Sequence, residues 1–155
     1  MNYNHYVIAR ALHVIAVVIW IGGVAFVTTV LIPAIRKSHT PDEMLNTFEK
    51  LEKKFSFQAK FTTLLTGATG FYMVHVMNAW ASMQWWMYLM IFVWAIFTII
   101  LFVLEPLILH QWFHQKAKTN PNTAFLLLHL MHIILLSISV IAIFGGVAGA
   151  HGFIF

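Results

Sequence analysis

Apolar residues occur along this chain in four long runs that are separated by short polar segments. The runs cover roughly Tyr6–Ile35, Phe57–Ala79, Trp85–Leu109 and Ala124–Ala150. Each is at least as long as the ~20 residues that an α-helix needs to cross the hydrocarbon core of a bilayer. Short connections favour neighbouring helices that run in opposite directions. The pattern predicts an all-α membrane protein, in which residues 1–155 form one antiparallel four-transmembrane-helix bundle.

The basic residues are confined almost entirely to two of the three polar connections. The exception is Arg10, and the second connection, Asn78–Gln84, has none. Loops rich in Lys and Arg stay in the cytoplasm. We therefore expect a protein of the bacterial inner membrane with both termini in the periplasm. The cytoplasmic basic residues are Arg36, Lys37, Lys50, Lys53, Lys54 and Lys60 in or beside the first connection, and Lys116 and Lys118 in the third.

The first connection also predicts a helix. Thr40 has the character of an N-cap, Pro41 suits the first helical position, and Glu43 suits the first turn. Apolar side chains recur at helical spacing up to Phe55. We expect either an interfacial helix or a cytoplasmic extension of the second span.

Composition agrees with a bilayer environment and limits the chemistry. Hydrophobic residues make up 61% of the chain and charged residues 9%, against roughly 25% charged in soluble domains. Lipid is thus the expected partner, and because the +4 charge comes from loop residues, it does not indicate nucleic-acid binding. The absence of Cys excludes disulfides, iron–sulfur clusters and thiolate metal sites. Any metal site must use His, Met, Tyr or carboxylate ligands.

Nine histidines in so apolar a chain suggest a site inside the membrane. His5, His39 and His151 lie outside the predicted spans, as ordinary solvated side chains. Two others, His13 and His75, fall at similar depth in the outer leaflet on neighbouring antiparallel helices. Another group converges in the inner leaflet, and it comprises His110, His114, His129 and His132.

Paired imidazoles between helices suit the iron of haem b. We expect His13 and His75 to hold one haem, with Arg10 close to a propionate. A second haem would pair His110 with His129 or His132. The alternative is that these histidines, and glycines such as Gly67 and Gly70, serve helix packing. For the inner histidines, snorkelling to the interface is a further alternative.

Glu105 and a group of methionines leave other possibilities open. Glu105 is the only carboxylate within a predicted span, and it either bonds an inner histidine or relays protons, or else tilts to water beside Pro106. Soft thioethers can carry Cu(I), although methionine is also a common apolar filler. The methionines near the second connection are Met73, Met77, Met83, Met87 and Met90.

The first half of the chain resembles the copper-resistance protein D family. The resemblance rests on Leu12-His13 followed by Trp20-Ile21-Gly22-Gly23, and on the step Leu65-Thr66-Gly67. A related resemblance is to the membrane protoporphyrinogen oxidases of the HemJ type, which have four helices and a first-helix histidine on haem b. It implies that His13 is the ligand here. An Asn-Glu-x-Pro motif opening the last helix and a lysine in the third span, which that type carries, are missing from this chain.

Three functions are compatible with these features. The first is a haem b redox protein, an oxidoreductase or electron carrier, that exchanges electrons with a quinone or a partner protein. The second is a copper-handling protein. The third is a structural subunit of a membrane complex or a homo-oligomer, in which the histidines are packing residues.

Overall fold

The computed structural model describes residues 3–38 and 40–153, of which 91% are helical. The chain forms four long helical stretches. The first consists of α1 (Tyr3–Phe26), a π-helical segment (Val27–Leu31) and α2 (Ile32–Ser38), and the second is α3 (Pro41–Val76). The third consists of α4 (Trp85–Ile99), a π-helical segment (Ile100–Leu109) and α5 (His110–Thr119), and the fourth is α6 (Pro121–Ala150).

Local sequence explains where these helices begin and end. Glu43 accepts hydrogen bonds from the Thr40 backbone N–H (3.1 Å) and hydroxyl (2.8 Å), which closes a capping box at the start of α3. Asn120 accepts from the Thr123 N–H (3.1 Å) and caps α6. Asn78 follows α3 in the left-handed region, with φ of 52°, and turns the chain. The predicted helix in the first connection is therefore present, and it continues without a break into the predicted second span.

Both π-helical segments have a local cause. In the first, the Thr28 hydroxyl donates to the Val24 carbonyl (2.7 Å) and competes with the backbone ladder. In the second, Pro106 has no N–H to donate. A π-helical turn is a feature found most often at functional sites.

Neighbouring stretches run antiparallel. The imidazole of His13 lies against Gly70, and Phe55 lies against Gly23, so α1 and α3 run in opposite directions. Trp85 packs against Gly145, which gives the same relation for α4 and α6. A central cluster includes Trp20 and Phe97, whose rings meet edge to face at 4.8 Å. A second cluster at the basic end includes Phe48, Phe113 and Phe125.

Within the part of the chain that the structure describes, three helical stretches are long and apolar enough to cross a membrane: Tyr3–Lys37, Trp85–Thr119 and Pro121–Ala150. Only 11% of the most apolar part of Trp85–Thr119 is buried within the chain. So much exposed apolar surface indicates contact with lipid. The more polar α3 does not reach the same hydropathy.

We predict that Gly67 can accept no side chain. A Cβ there would lie 2.6 Å from the indole of Trp94, which cannot move freely because its Nε1 donates to the Thr63 carbonyl (2.9 Å). Gly67→Ala should therefore lower the thermal unfolding temperature in detergent by the equivalent of about 1–3 kcal/mol. The control is Gly22→Ala, where no atom lies within 4 Å, so alanine should leave stability equal or raise it. Equal melting temperatures for both variants would contradict the packing described.

Candidate functional site

An apolar cavity of about 180 Å³, here named the outer cavity, lies between α1, α3, α4 and α6 near the α3–α4 connection. Aromatic side chains form much of its wall, including Trp20, Phe71, Trp86 and Trp94. His13 lies at its edge and is half-buried. It is the one histidine from the predicted outer-leaflet pair that reaches this cavity.

The hydrogen bonds of His13 determine its tautomer. Nδ1 lies 3.0 Å from both the Thr66 carbonyl oxygen and the Thr69 hydroxyl oxygen. The Thr69 hydroxyl already donates its proton to the Leu65 carbonyl (2.6 Å), so both partners of Nδ1 can only accept. Nδ1 must carry the proton, and Nε2 keeps a free lone pair. Imidazoles that ligate metals are oriented in the same way, with the second nitrogen bonded to a carbonyl or carboxylate.

The structure does not bring His75 and His13 together. His75 is exposed and does not line the outer cavity. Gly70 on α3 faces His13, and His75 comes five residues later. Its side chain therefore points about 140° around the α3 axis from the direction of His13. The expected pair therefore does not line one cavity, because equal depth on two helices does not specify which way each side chain faces. Arg10 is also exposed and does not line the cavity.

Methionines form another part of the outer cavity. Four of the five methionines singled out above line it, namely Met73, Met77, Met87 and Met90. A thioether can serve as an axial ligand to haem iron or as a ligand to Cu(I). The cavity therefore combines one imidazole with several soft sulfur atoms.

A second cavity, here named the inner cavity, encloses about 400 Å³ towards the basic end of the bundle. Both π-helical segments border it, the first through Val27 and Leu31 and the second through Ile100, Glu105 and Leu109. Trp20 lines both cavities. Its indole Nε1 is buried and has no hydrogen-bond partner.

The inner histidines separate into two groups. His110 and His132 line the inner cavity, whereas His129 does not. The Nε2–H of His129 donates to the Thr28 carbonyl (2.9 Å), while His132 uses Nδ1 to donate to the Leu128 carbonyl (2.9 Å) and keeps Nε2 free. Thus His132 presents an acceptor at the cavity, and His129 is a helix-packing residue. His114 bonds Glu49 through Nδ1 at 2.7 Å.

Glu105 bonds to α3, and no inner histidine bonds to it. Its Oε1 accepts from the Ser56 hydroxyl (2.6 Å), and Lys60 Nζ lies 3.3 Å from both carboxylate oxygens. Ser56 and Glu52 also line the inner cavity. Sequence reasoning missed both residues and Lys60 as site residues. The signal was their spacing, since Glu52, Ser56 and Lys60 recur every four residues and share one helix face.

The imidazoles and carboxylates of the two cavities do not form a metal cage. Within residues 3–38 and 40–153, no three His, Cys, Asp or Glu side chains are arranged to hold a metal ion. A metal bound by an imidazole would therefore need its other ligands from methionine or from a cofactor. His39 lies outside the residues that the structure describes.

We predict that Glu52 makes stability depend on pH. Burial raises the pKa of this carboxyl most, and the nearby Glu105 and Glu49 raise it further. His110 and Lys60 act in the opposite direction and lower this pKa. A carboxyl whose pKa is higher in the folded state costs stability as pH rises from its unfolded pKa through its folded pKa. Glu52→Gln should therefore raise the melting temperature in detergent at pH 8, and the gain should vanish below the ordinary carboxyl pKa. A gain of the same size at every pH would contradict this assignment.

Comparisons of the chain with protein-family models, with curated proteins and with solved structures find no match. We therefore infer its function from the geometry of the two cavities.

Proposed function

We propose that this chain is an integral-membrane redox protein in which His13 ligates the iron of haem b at the outer cavity. The observation that carries the proposal is the tautomer of His13. The Thr66 carbonyl and the Thr69 hydroxyl hold the proton on Nδ1, so Nε2 offers its lone pair at the edge of an apolar, aromatic cavity.

Haem accounts for a site with a single imidazole. The porphyrin supplies four nitrogen ligands itself, so the protein needs to add only one or two axial ligands. A methionine of the same cavity, such as Met73 or Met90, is suited to the sixth position. Pockets for larger ligands enclose roughly 300–1,000 Å³, and the outer cavity encloses about 180 Å³. Porphyrin binding therefore requires wall side chains other than the hydrogen-bonded Trp94, such as Phe71 and Met87, to move aside.

We propose one haem rather than two. The inner cavity holds His110 and His132, but Glu52 and Glu105 also line it. The propionates of a second haem would add negative charge beside these carboxylates, and like charges in a site of low dielectric repel strongly. Arg10 lies one turn before His13, and we assign it to a propionate of the outer haem.

Copper handling is a second candidate, and the four cavity methionines are the observation that favours it. Thioethers and one imidazole suit Cu(I). Met77 is 49% exposed while it lines the outer cavity, so it could accept an ion from the outer side. A single ion also needs no enlargement of the cavity.

For the membrane arrangement, we propose that the part of α3 from Phe57 onward is the fourth span. Its lower hydropathy comes from a buried face that is rich in threonine, at Thr62, Thr63, Thr66 and Thr69. Its exposed positions form an apolar stripe at helical spacing, with Phe61, Leu64, Ala68 and Tyr72. An apolar outer surface with a polar inner one is suited to lipid contact. With four spans, the positive-inside rule places the α2–α3 and α5–α6 connections in the cytoplasm and both termini in the periplasm.

The first test is spectroscopic. Protein purified from cells that are supplied with haem should show a b-type reduced-minus-oxidised spectrum and contain one haem per chain. His13→Ala should lose most of this absorption, because the imidazole is the axial ligand proposed here. His75→Ala is the matched control, since His75 is exposed in the same half of the bundle, and it should keep the full spectrum.

Other results would point to a different haem ligand, to a copper site or to a packing role for His13. Full haem content in His13→Ala would overturn the assignment of the ligand. Protein that lacks haem absorption but contains about one copper per chain by metal analysis, with less in Met90→Leu, would support the copper candidate. Protein with neither would leave His13 as a packing residue bonded to α3.

The second test concerns topology. Reporter domains fused after Lys54 and after Phe153 should give opposite signals, cytoplasmic for the first and periplasmic for the second. Two signals from the same side would show that α3 does not cross the membrane or that the span count is wrong.

A further inference from the structure

The inner cavity has the size and the lining of a ligand site. Its volume of about 400 Å³ falls within the ~300–1,000 Å³ typical of small-molecule pockets. Most of its wall is apolar, with the rings of Phe55, Phe97 and Phe113 among the lining residues. Flat aromatic ligands pack well against such rings.

The polar groups at this cavity restrict the ligand further. His132 offers a free Nε2 acceptor, because its Nδ1–H is bonded within α6. Glu105 Oε1 accepts from Ser56 and Lys60, whereas Oε2 lies in an ion pair 3.3 Å from Lys60 Nζ but has no hydrogen-bond partner, so it can still accept a hydrogen bond. Among the described residues that line this cavity, Trp20 is a buried donor without a partner: it is 4% exposed and its Nε1 makes no hydrogen bond. A ligand that matches these two acceptors and one donor has hydroxyl groups that donate hydrogen bonds and an oxygen that accepts one.

Charge excludes other ligand classes. An anion would meet Glu52 and Glu105 at the cavity wall. A cation would compete with Lys60, which already lies 3.3 Å from Glu105. A purely apolar ligand would leave Glu105 Oε2, His132 Nε2 and Trp20 Nε1 without hydrogen-bond partners in a water-poor site, and that carries a desolvation cost. A neutral aromatic diol avoids all three penalties.

The cavity also reaches the surface that we place in the bilayer. Trp112 and Leu127 line it and are nevertheless 43% and 41% exposed. They come from α5 and α6, so the opening lies on the side of these two helices. A ligand dissolved in the membrane could therefore enter sideways while its tail remained in lipid.

We propose that the inner cavity binds the head group of a membrane hydroquinone, with ring hydroxyls donating to His132 Nε2 and to the Glu105 carboxylate. Trp20 Nε1 donates to a ring oxygen. The redox role of this ligand rests on the proposed function, whereas its binding requires no haem and no electron transfer.

The test is the binding of decylubiquinol to the full chain in nanodiscs, measured by isothermal titration calorimetry with empty nanodiscs subtracted. We expect saturable binding at one site per chain. His132→Ala should weaken it about tenfold, because it removes one hydrogen bond in a buried site. His129→Ala is the matched control, since this histidine is three residues away and bonded to Thr28 instead, and it should bind as the wild type does.

A second pair of measurements keeps folding apart from binding. Decylbenzene has the ring and the tail without hydroxyl groups, and it should not compete with decylubiquinol. Glu105→Gln should also weaken binding about tenfold, with helicity by circular dichroism showing that the variant is folded. Equal affinity of wild type, His132→Ala and Glu105→Gln would overturn the proposal, as would displacement by decylbenzene.

The same titration in His13→Ala separates this inference from the haem proposal. Binding that persists in haem-free protein supports the inner site whatever occupies the outer cavity. A haem-containing wild type that does not bind decylubiquinol would overturn the hydroquinone site alone. Two haems per chain, with one lost in His132→Ala, would show that the inner cavity holds a second haem and would also overturn it.

Discussion

A polar side chain inside a bundle of this composition has little water to bond with, so it must find its partner within the chain. Among the described residues, three half-buried side chains meet this requirement by donating to a backbone carbonyl of another helix. His13 donates from α1 to Thr66 on α3, Trp94 from α4 to Thr63 on α3, and His129 from α6 to Thr28 after α1. Each bond requires one depth and one rotation of the donor helix. Together they hold α1 and α4 on the threonine face of α3 and hold α6 against the first stretch, and so they help to position both cavities.

Much of the fold follows from the pattern of apolar and polar residues. Four helical stretches, their antiparallel neighbours and the N-cap at Thr40 can all be read from periodicity and from local capping chemistry. The rotation of each helix cannot be read in this way. His75 shows why, because its depth matched that of His13, yet its side chain faces away from the outer cavity. The depth of a residue in the membrane depends only on its position along the helix. The direction of its side chain depends on the rotation of the helix, which is set by the side chains that pack between helices.

The two inner histidines on α6 also show that sequence does not predict the direction and bonding of a side chain. His129 and His132 are three residues apart on α6, and their sequence context gives no reason to separate them. The structure gives them different roles, because the Thr28 carbonyl lies within reach of His129 while His132 bonds the preceding turn of its own helix. The π-helical segment Val27–Leu31 contains that Thr28 carbonyl. The carbonyl that binds His129 thus lies in a local departure from α-helical geometry, and the pattern of apolar and polar residues does not predict that departure.

The two cavities are linked by one side chain. Trp20 lines both, packs edge to face on Phe97, and keeps its indole N–H without a partner. An unsatisfied buried donor carries a cost of about 1–3 kcal/mol, so it requires an explanation beyond packing, which phenylalanine would satisfy at this position. A ligand oxygen at Trp20 would remove that cost, and it would also bring the bound molecule to the wall shared with the outer cavity. Under the functions proposed here, this wall lies between a hydroquinone and the haem. The indole that orients the donor would then stand between the two redox groups, and a bundle with so few polar residues would use one tryptophan for both tasks.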